Sequence, residues 1–331
     1  TIARQISSTR NNSYFSVSPK GIVTYATGDL TPNSQLVWVD RRGKELGVIG
    51  TPADFSFGAK LSPDGKHAAV SLRTTASGAL DVWVFDVLRG TPLRMTVAPA
   101  NNVFPRWSPD GNHIAFGSFR KLPASLYVCN ANGSAQDELL LSTNETTTPV
   151  DWSPDGRFLL YFSLTSREDK DLWILPVSGE KKAGPWKFKG SEYDEFLGAF
   201  SPDGKWIAYT STESGSTEVY VEPFSPEGRQ TEGKWRISSA GGSVPLWRRD
   251  GRELFYLTPD LKMMAVSVQT APVFTASIPQ PLFTLPNVGA WPIAYNNDVT
   301  ADGQKFLIRR PVQTAAQPYT VLLNWNGQAS R

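Results

Sequence analysis

A tight-turn signal returns along this chain at nearly constant spacing, and it constrains the fold more than any other feature. Ser62-Pro63-Asp64-Gly65 recurs as Ser108-Pro109-Asp110-Gly111, Ser153-Pro154-Asp155-Gly156 and Ser201-Pro202-Asp203-Gly204. Weaker copies are Ser18-Pro19-Lys20-Gly21, Arg248-Arg249-Asp250-Gly251 and Thr300-Ala301-Asp302-Gly303. At the proline position (Pro19, Pro63, Pro109, Pro154, Pro202, Arg249, Ala301) the intervals are 44, 46, 45, 48, 47 and 52 residues. Self-similarity at such a period is the mark of a solenoid, an array or a propeller.

Each unit reads alike. A short run ends in a bulky residue just before the turn: Val17, Leu61, Trp107, Trp152, Phe200, Trp247 or Val299. The Asp-Gly follows, a turn signal because Gly accepts positive φ and Asp bonds its own backbone. Next comes a β-rich run such as His113-Ile114-Ala115-Phe116, then a third such as Leu172-Trp173-Ile174, and in most units a fourth, as in Leu93-Arg94-Met95-Thr96. No stretch of ten residues shows helical periodicity. Four antiparallel strands per unit predict an all-β propeller. We expect one domain over 1–331 with units at about 8–50, 51–97, 98–142, 143–190, 191–238, 239–286 and 287–331. Seven anchors imply seven blades, the last completed by a closing strand within residues 1–7 (Ile2 to Ile6). Six is the alternative, should the irregular sixth and seventh units merge.

The repeated Trp-Ser-Pro-Asp-Gly followed by an Ile-Ala-Tyr-like strand resembles the WD-like Pro-Asp repeats of TolB-type β-propellers. More narrowly, Leu36-Val37-Trp38-Val39-Asp40-Arg41-Arg42-Gly43-Lys44-Glu45-Leu46, the Asp151–Tyr161 segment and Trp247-Arg248-Arg249-Asp250-Gly251-Arg252-Glu253-Leu254-Phe255-Tyr256 are similar to the C-terminal propeller of bacterial, especially acidobacterial, membrane serine/threonine kinases. That resemblance implies an extracytoplasmic sensor region joined elsewhere to a kinase domain and a membrane helix. A chain beginning at Thr1 fits a piece of a longer polypeptide.

Composition narrows the function classes. Lys and Arg number 33 against 31 Asp and Glu, a net charge of +2, which argues against a polybasic nucleic-acid binder. No apolar run approaches the roughly 20 residues of a membrane helix. One cysteine, Cys129, forbids an internal disulfide. Kinase, nucleophile-elbow, His-Glu-x-x-His and Cys-x-x-Cys motifs are all missing from the sequence, so neither catalysis nor a metal or other cofactor is expected. His67 and His113 share a slot that other units fill with Phe158, Trp206, Glu253 and Lys305, which marks a strand position rather than a ligand. The repeated turn aspartates read as structural. They lack the Asp-box pattern of sialidases.

A propeller's inner strands line its channel. Three positions before the proline they carry Ser16, Lys60, Arg106, Asp151, Ala199, Leu246 and Asp298. Lys60, Arg106, Asp151 and Asp298 are therefore the candidate channel lining, either tied in inter-blade ion pairs or open to a small polar ligand or a peptide end. A candidate docking rim combines basic Arg73, Arg120, Lys121 and Arg167 with acidic Glu192, Asp194 and Glu195; Trp291 is the candidate exposed aromatic. The reading is a monomeric, non-catalytic platform for a protein, peptide or small polar ligand. The alternative is a propeller enzyme of lactonase, glycosidase or lyase type using Asp151, Asp298 or Glu195.

Overall fold

The run after each Asp-Gly turn is rich in β-branched and aromatic side chains, and it pairs antiparallel with the runs on either side, as a buried central strand should. The computed structural model describes residues 8–9, 12–13, 15–18, 22–26, 33–73, 78–134, 136–165, 169–178, 184–229, 232–271, 273–286, 297–312 and 319–322. Blade one spans residues 55–94, blade two 102–141, blade three 146–189, blade four 195–236 and blade five 243–284. In blade five a short strand, Thr275–Ala276, pairs the far end of Lys262–Gln269 before Gln280–Thr284 forms the outer strand.

Blade six is assembled from both halves of the chain. Asn297–Val299 and Lys305–Pro311 supply its inner strands, and Ser34–Asp40 and Glu45–Ala53 its outer ones. The seventh-unit strand pairs in unbroken register with the first-unit strand, from Lys305↔Asp40 to Pro311↔Ser34. The expectation of seven blades is thereby corrected to six. The units that merge are the first and the seventh, not the sixth and seventh. The physical reason is edge pairing: a second strand left open at Lys305–Pro311 is satisfied by a third strand that itself lacks a partner. Both neighbours of blade six are in place. Lys60 of blade one lies 3.7 Å from Asp298, and Arg309 donates to the Phe55 carbonyl of blade one. On the other side Phe306 packs edge-on against Phe255 of blade five, 5.2 Å between centroids.

Phe15–Val17, Val23–Ala26 and Tyr319–Leu322 form a separate three-stranded sheet, while residues 19–21 of the weak first anchor lie outside the described residues. The proposed closing strand Ile2 to Ile6 lies outside the described residues. No helix among the described residues is long and apolar enough to cross a membrane.

The turns repeat at atomic detail. Ser62 Oγ donates to Asp64 Oδ1 at 2.6 Å and accepts the His67 N–H at 3.0 Å, while Asp64 Oδ1 also accepts the Lys66 N–H. Ser108–Asp110, Ser153–Asp155, Ser201–Asp203 and Thr300–Asp302 make the same bond. In blade five Arg248 takes the hydroxyl's place and grips Asp250 with two nitrogens. The turn glycine must hold φ near +70°, and at Gly156 a Cβ would also meet the Pro109 ring of the preceding blade at 3.4 Å.

Candidate functional site

The inner strands of blades one to five break register just before the slot that faces the neighbouring blade, whereas Asn297–Val299 of blade six pairs without a break. The breaks fall at Phe57/Lys60, Val103/Arg106, Pro149/Asp151, Phe196/Ala199 and Ser243/Leu246. Such bulges re-aim a side chain and twist the strand. At three of them an apolar residue sits at positive φ: Phe104 at 57°, Leu197 at 54° and Val244 at 59°. For a β-branched residue like Val244 that is strained backbone, and it is held beside the channel.

The re-aimed slots tie the blades together by two complementary devices. A tryptophan reaches back: Trp107 Nε1 donates to the Lys60 carbonyl at 2.9 Å, Trp152 Nε1 to Arg106 at 3.3 Å and Trp247 Nε1 to Ala199 at 3.2 Å. Where the next blade has no tryptophan, an aspartate reaches forward. Asp151 accepts the Phe200 N–H and Asp298 the Leu61 N–H, both at 2.8 Å. Between blades five and six, where Leu246 faces Val299, the described contacts include neither. There Arg41 bonds Glu253 through two nitrogens and reaches the Gly303 carbonyl at 2.9 Å.

Inside this ring is a cavity of about 620 Å³ lined by all six blades. Lys60, Arg106, Asp151 and Asp298 are among its lining residues. Arg106 donates to the Val150 and Pro105 carbonyls, and Asp298 holds Lys60 only at 3.7 Å. Burial lowers the Lys60 ammonium from its ordinary value, offset in part by Asp298. Burial likewise pushes the Asp151 carboxyl up to about 6, against the pull of the Phe200 N–H and of Lys60 and Arg106.

The rim candidates stand elsewhere. Phe55 pairs with Leu72 at one end of blade one's inner hairpin, and Leu61 with Ala68 at the other, beside the Asp-Gly turn. Seven residues at about 3.3 Å each put Arg73 roughly 20 Å from the turn that rings the cavity. Arg73 pairs with Asp54, and Arg120 with Asp137 while lying 4.3 Å over the Tyr127 ring. Lys170 pairs with Asp194 at 2.8 Å, and buried Glu195 accepts from Ser191 Oγ at 2.6 Å. Lys121 and Glu192 are exposed; Arg167 and Trp291 lie outside the described residues. Arg73, Arg120, Asp194 and Glu195 thus make internal contacts, at the end of the blades opposite the cavity.

Sequence reasoning missed Arg249. It lines the cavity and donates through Nη1 to the Pro63 carbonyl of blade one. The available signal was its place: an arginine stands where the strong repeats put proline. Cys129 is buried as expected, its thiol pushed up to about 12. Among the described residues no cluster of three His, Cys, Asp or Glu could hold a metal ion.

Comparison with known proteins places this geometry. The profile of the TolB beta propeller domain matches residues 34–183. An uncharacterized protein of Agrobacterium fabrum is 24% identical over 205 residues, covering 60% of this chain and 68% of its own. An uncharacterized peptidase of Bacillus subtilis is 27% identical over 49% of this chain and 31% of its own. The Tol-Pal system protein TolB of Desulfosudis oleivorans is 26% identical over 40% and 27%. The chain thus matches about a third or less of the length of the last two. Among solved structures, a provisionally assigned TolB from Agrobacterium tumefaciens aligns at TM-score 0.67 and 19% identity, over 86% of this chain and 99% of its own. An oligogalacturonate lyase from Vibrio parahaemolyticus aligns at TM-score 0.53 and 13% identity, over 88% of both. At such identities these two speak for the fold alone.

Proposed function

We propose that this chain, a β-propeller similar over residues 34–183 to the TolB beta propeller domain, is a non-catalytic binding platform receiving a partner at the channel mouth ringed by its Asp-Gly turns. One observation carries the reading: an open cavity fed by all six blades, with charged side chains converging on it from backbones fixed by internal bonds. Rigid rims around a concave, partly polar pocket are where propellers and other scaffolds take ligands. The likeness to a Tol-Pal system protein supports a protein partner and a place outside the cytoplasm. The finer reading, a monomeric sensor region of a receptor-like kinase, rests on the sequence resemblance.

A second reading has one observation in its favour. Asp151, held near 6 inside the cavity, is the kind of group a lyase or hydrolase would use as general acid. The test separates the possibilities. A photo-crosslinking residue is placed at Ala301, exposed at the mouth, and in a second variant at Lys121 on the opposite face. Discrete adducts from Ala301 in the bacterial envelope are the expected result. Adducts from Lys121 alone would move docking to the other face. Turnover of an oligogalacturonate that Asp151→Asn abolishes would overturn the non-catalytic assignment.

A further inference from the structure

Around the cavity mouth the proline position is filled by Pro63, Pro109, Pro154 and Pro202, then by Arg249 and Ala301. The two departures are adjacent and complementary. Ala301 of blade six is the smallest side chain in the ring. Arg249 of blade five reaches past that blade to donate to the Pro63 carbonyl of blade one. Its side chain, exposed to solvent, therefore lies as a chord across the opening.

The charges beneath it are unequally committed. Among the described residues three carboxylates line the cavity, and each is engaged by its own fold. Asp64 is bonded by Ser62 and Lys66, Asp151 by the Phe200 N–H, and Asp298 by the Leu61 and Val299 N–H groups. Two of the cations are loosely held by comparison. Lys60 reaches the Asn297 carbonyl at 3.3 Å and Asp298 at 3.7 Å, both long for an ammonium with three donors. Arg249 gives one of its five donors to a neutral carbonyl, a weaker partner than a carboxylate matched to its fork.

Resting on the reading of the channel as a binding site, we propose that the cavity takes a ligand bearing two or more carboxylates. One carboxylate is held by the Lys60 ammonium. Another is gripped at the mouth by Arg249, which leaves the Pro63 carbonyl to close over the ligand. Lys60 precedes Pro63 by three residues, about 10 Å of strand, so the two cations act at different depths and favour a ligand charged at more than one point. A free polycarboxylic acid and an acidic peptide segment share this chemistry.

Calorimetric titration tests the idea with three probes on the full chain: citrate, a capped tetraglutamate peptide and its tetraglutamine counterpart. Saturable binding of citrate or tetraglutamate is expected, with none by tetraglutamine. Citrate alone would identify a small-molecule site and tetraglutamate alone a peptide site. In Arg249→Ala, at an exposed position where the fold is unaffected, the affinity should fall at least tenfold. It should fall likewise in Lys60→Met and hold in Lys262→Ala on the outer part of blade five. No saturable binding by either carboxylate probe, or equal affinity in Arg249→Ala, would overturn the proposal. If Ala301 still captures a partner in the Arg249→Ala background, only this inference fails and the platform reading stands.

Discussion

Asp151 holds two roles in tension. Its carboxylate secures the Phe200 N–H of the next blade, yet burial raises its value from 3.8 to about 6. A carboxyl raised in the folded state contributes stability that is present below the unfolded value and lost as pH climbs through the folded one. Its window is therefore about pH 4 to 6, with up to about 3 kcal/mol forgone above it. Asp151→Asn keeps an acceptor for Phe200 and removes the ionisation. The variant should match the parent near pH 4 and exceed it by up to about 3 kcal/mol at pH 8, read by urea unfolding at both. A constant difference across that range would refute the assignment. The turn aspartates act oppositely. Asp64 and Asp110, lowered chiefly by Ser62 and Ser108, lose their contribution as pH falls through their depressed values, which is why the comparison is made against the parent at each pH.

At the scale of the strand, the inner slots were legible in part. Lys60, Arg106, Asp151 and Asp298 stood out because polar residues recur where strands should be apolar. What they bond was not legible. A one-residue bulge at Pro149/Asp151 or Val103/Arg106 leaves no period-2 trace, yet it helps set the Arg106 side chain against the Val150 and Pro105 carbonyls. The tryptophans that end three of these strands also carry a directed bond. Trp152→Phe retains the ring and deletes only the donor to the Arg106 carbonyl, so stability should fall by about 1 kcal/mol. A urea midpoint equal to the parent's would mean that solvent replaces the bond. Alternating signs on loops invite a docking reading, and loops at one end of adjacent blades are also close enough to neutralise each other, as Lys170 and Asp194 do.

For the molecule as a whole, the repeat announced the propeller, and counting anchors overstated the blades. An anchor marks an inner hairpin; it does not say whose outer strands complete it. Strands Ser34–Asp40 and Glu45–Ala53, downstream of the first anchor in the sequence, finish the blade begun by Asn297–Val299. The ring's fifth interface also differs, since Arg41, carried on those borrowed strands, does the fastening there. Arg41→Ala should lower the unfolding temperature through loss of about 1–3 kcal/mol from a partly buried bidentate pair. Amide exchange should quicken in residues 34–53 and 297–311 before the other blades. Uniform quickening around the ring would show that this interface is no weaker than the rest.

The shared blade also sets how the molecule answers force. Ser34 faces Pro311 at one end of the ladder, and just outside it Val23–Ala26 pairs with Tyr319–Leu322, so both arms of the chain leave side by side. A pull that separates the arms meets hydrogen bonds one at a time, as in opening a zipper, instead of loading the ladder in shear. The ring therefore yields first at blade six, at low tension. The turns and cavity of blades one to four lie farthest along the chain from where the load enters.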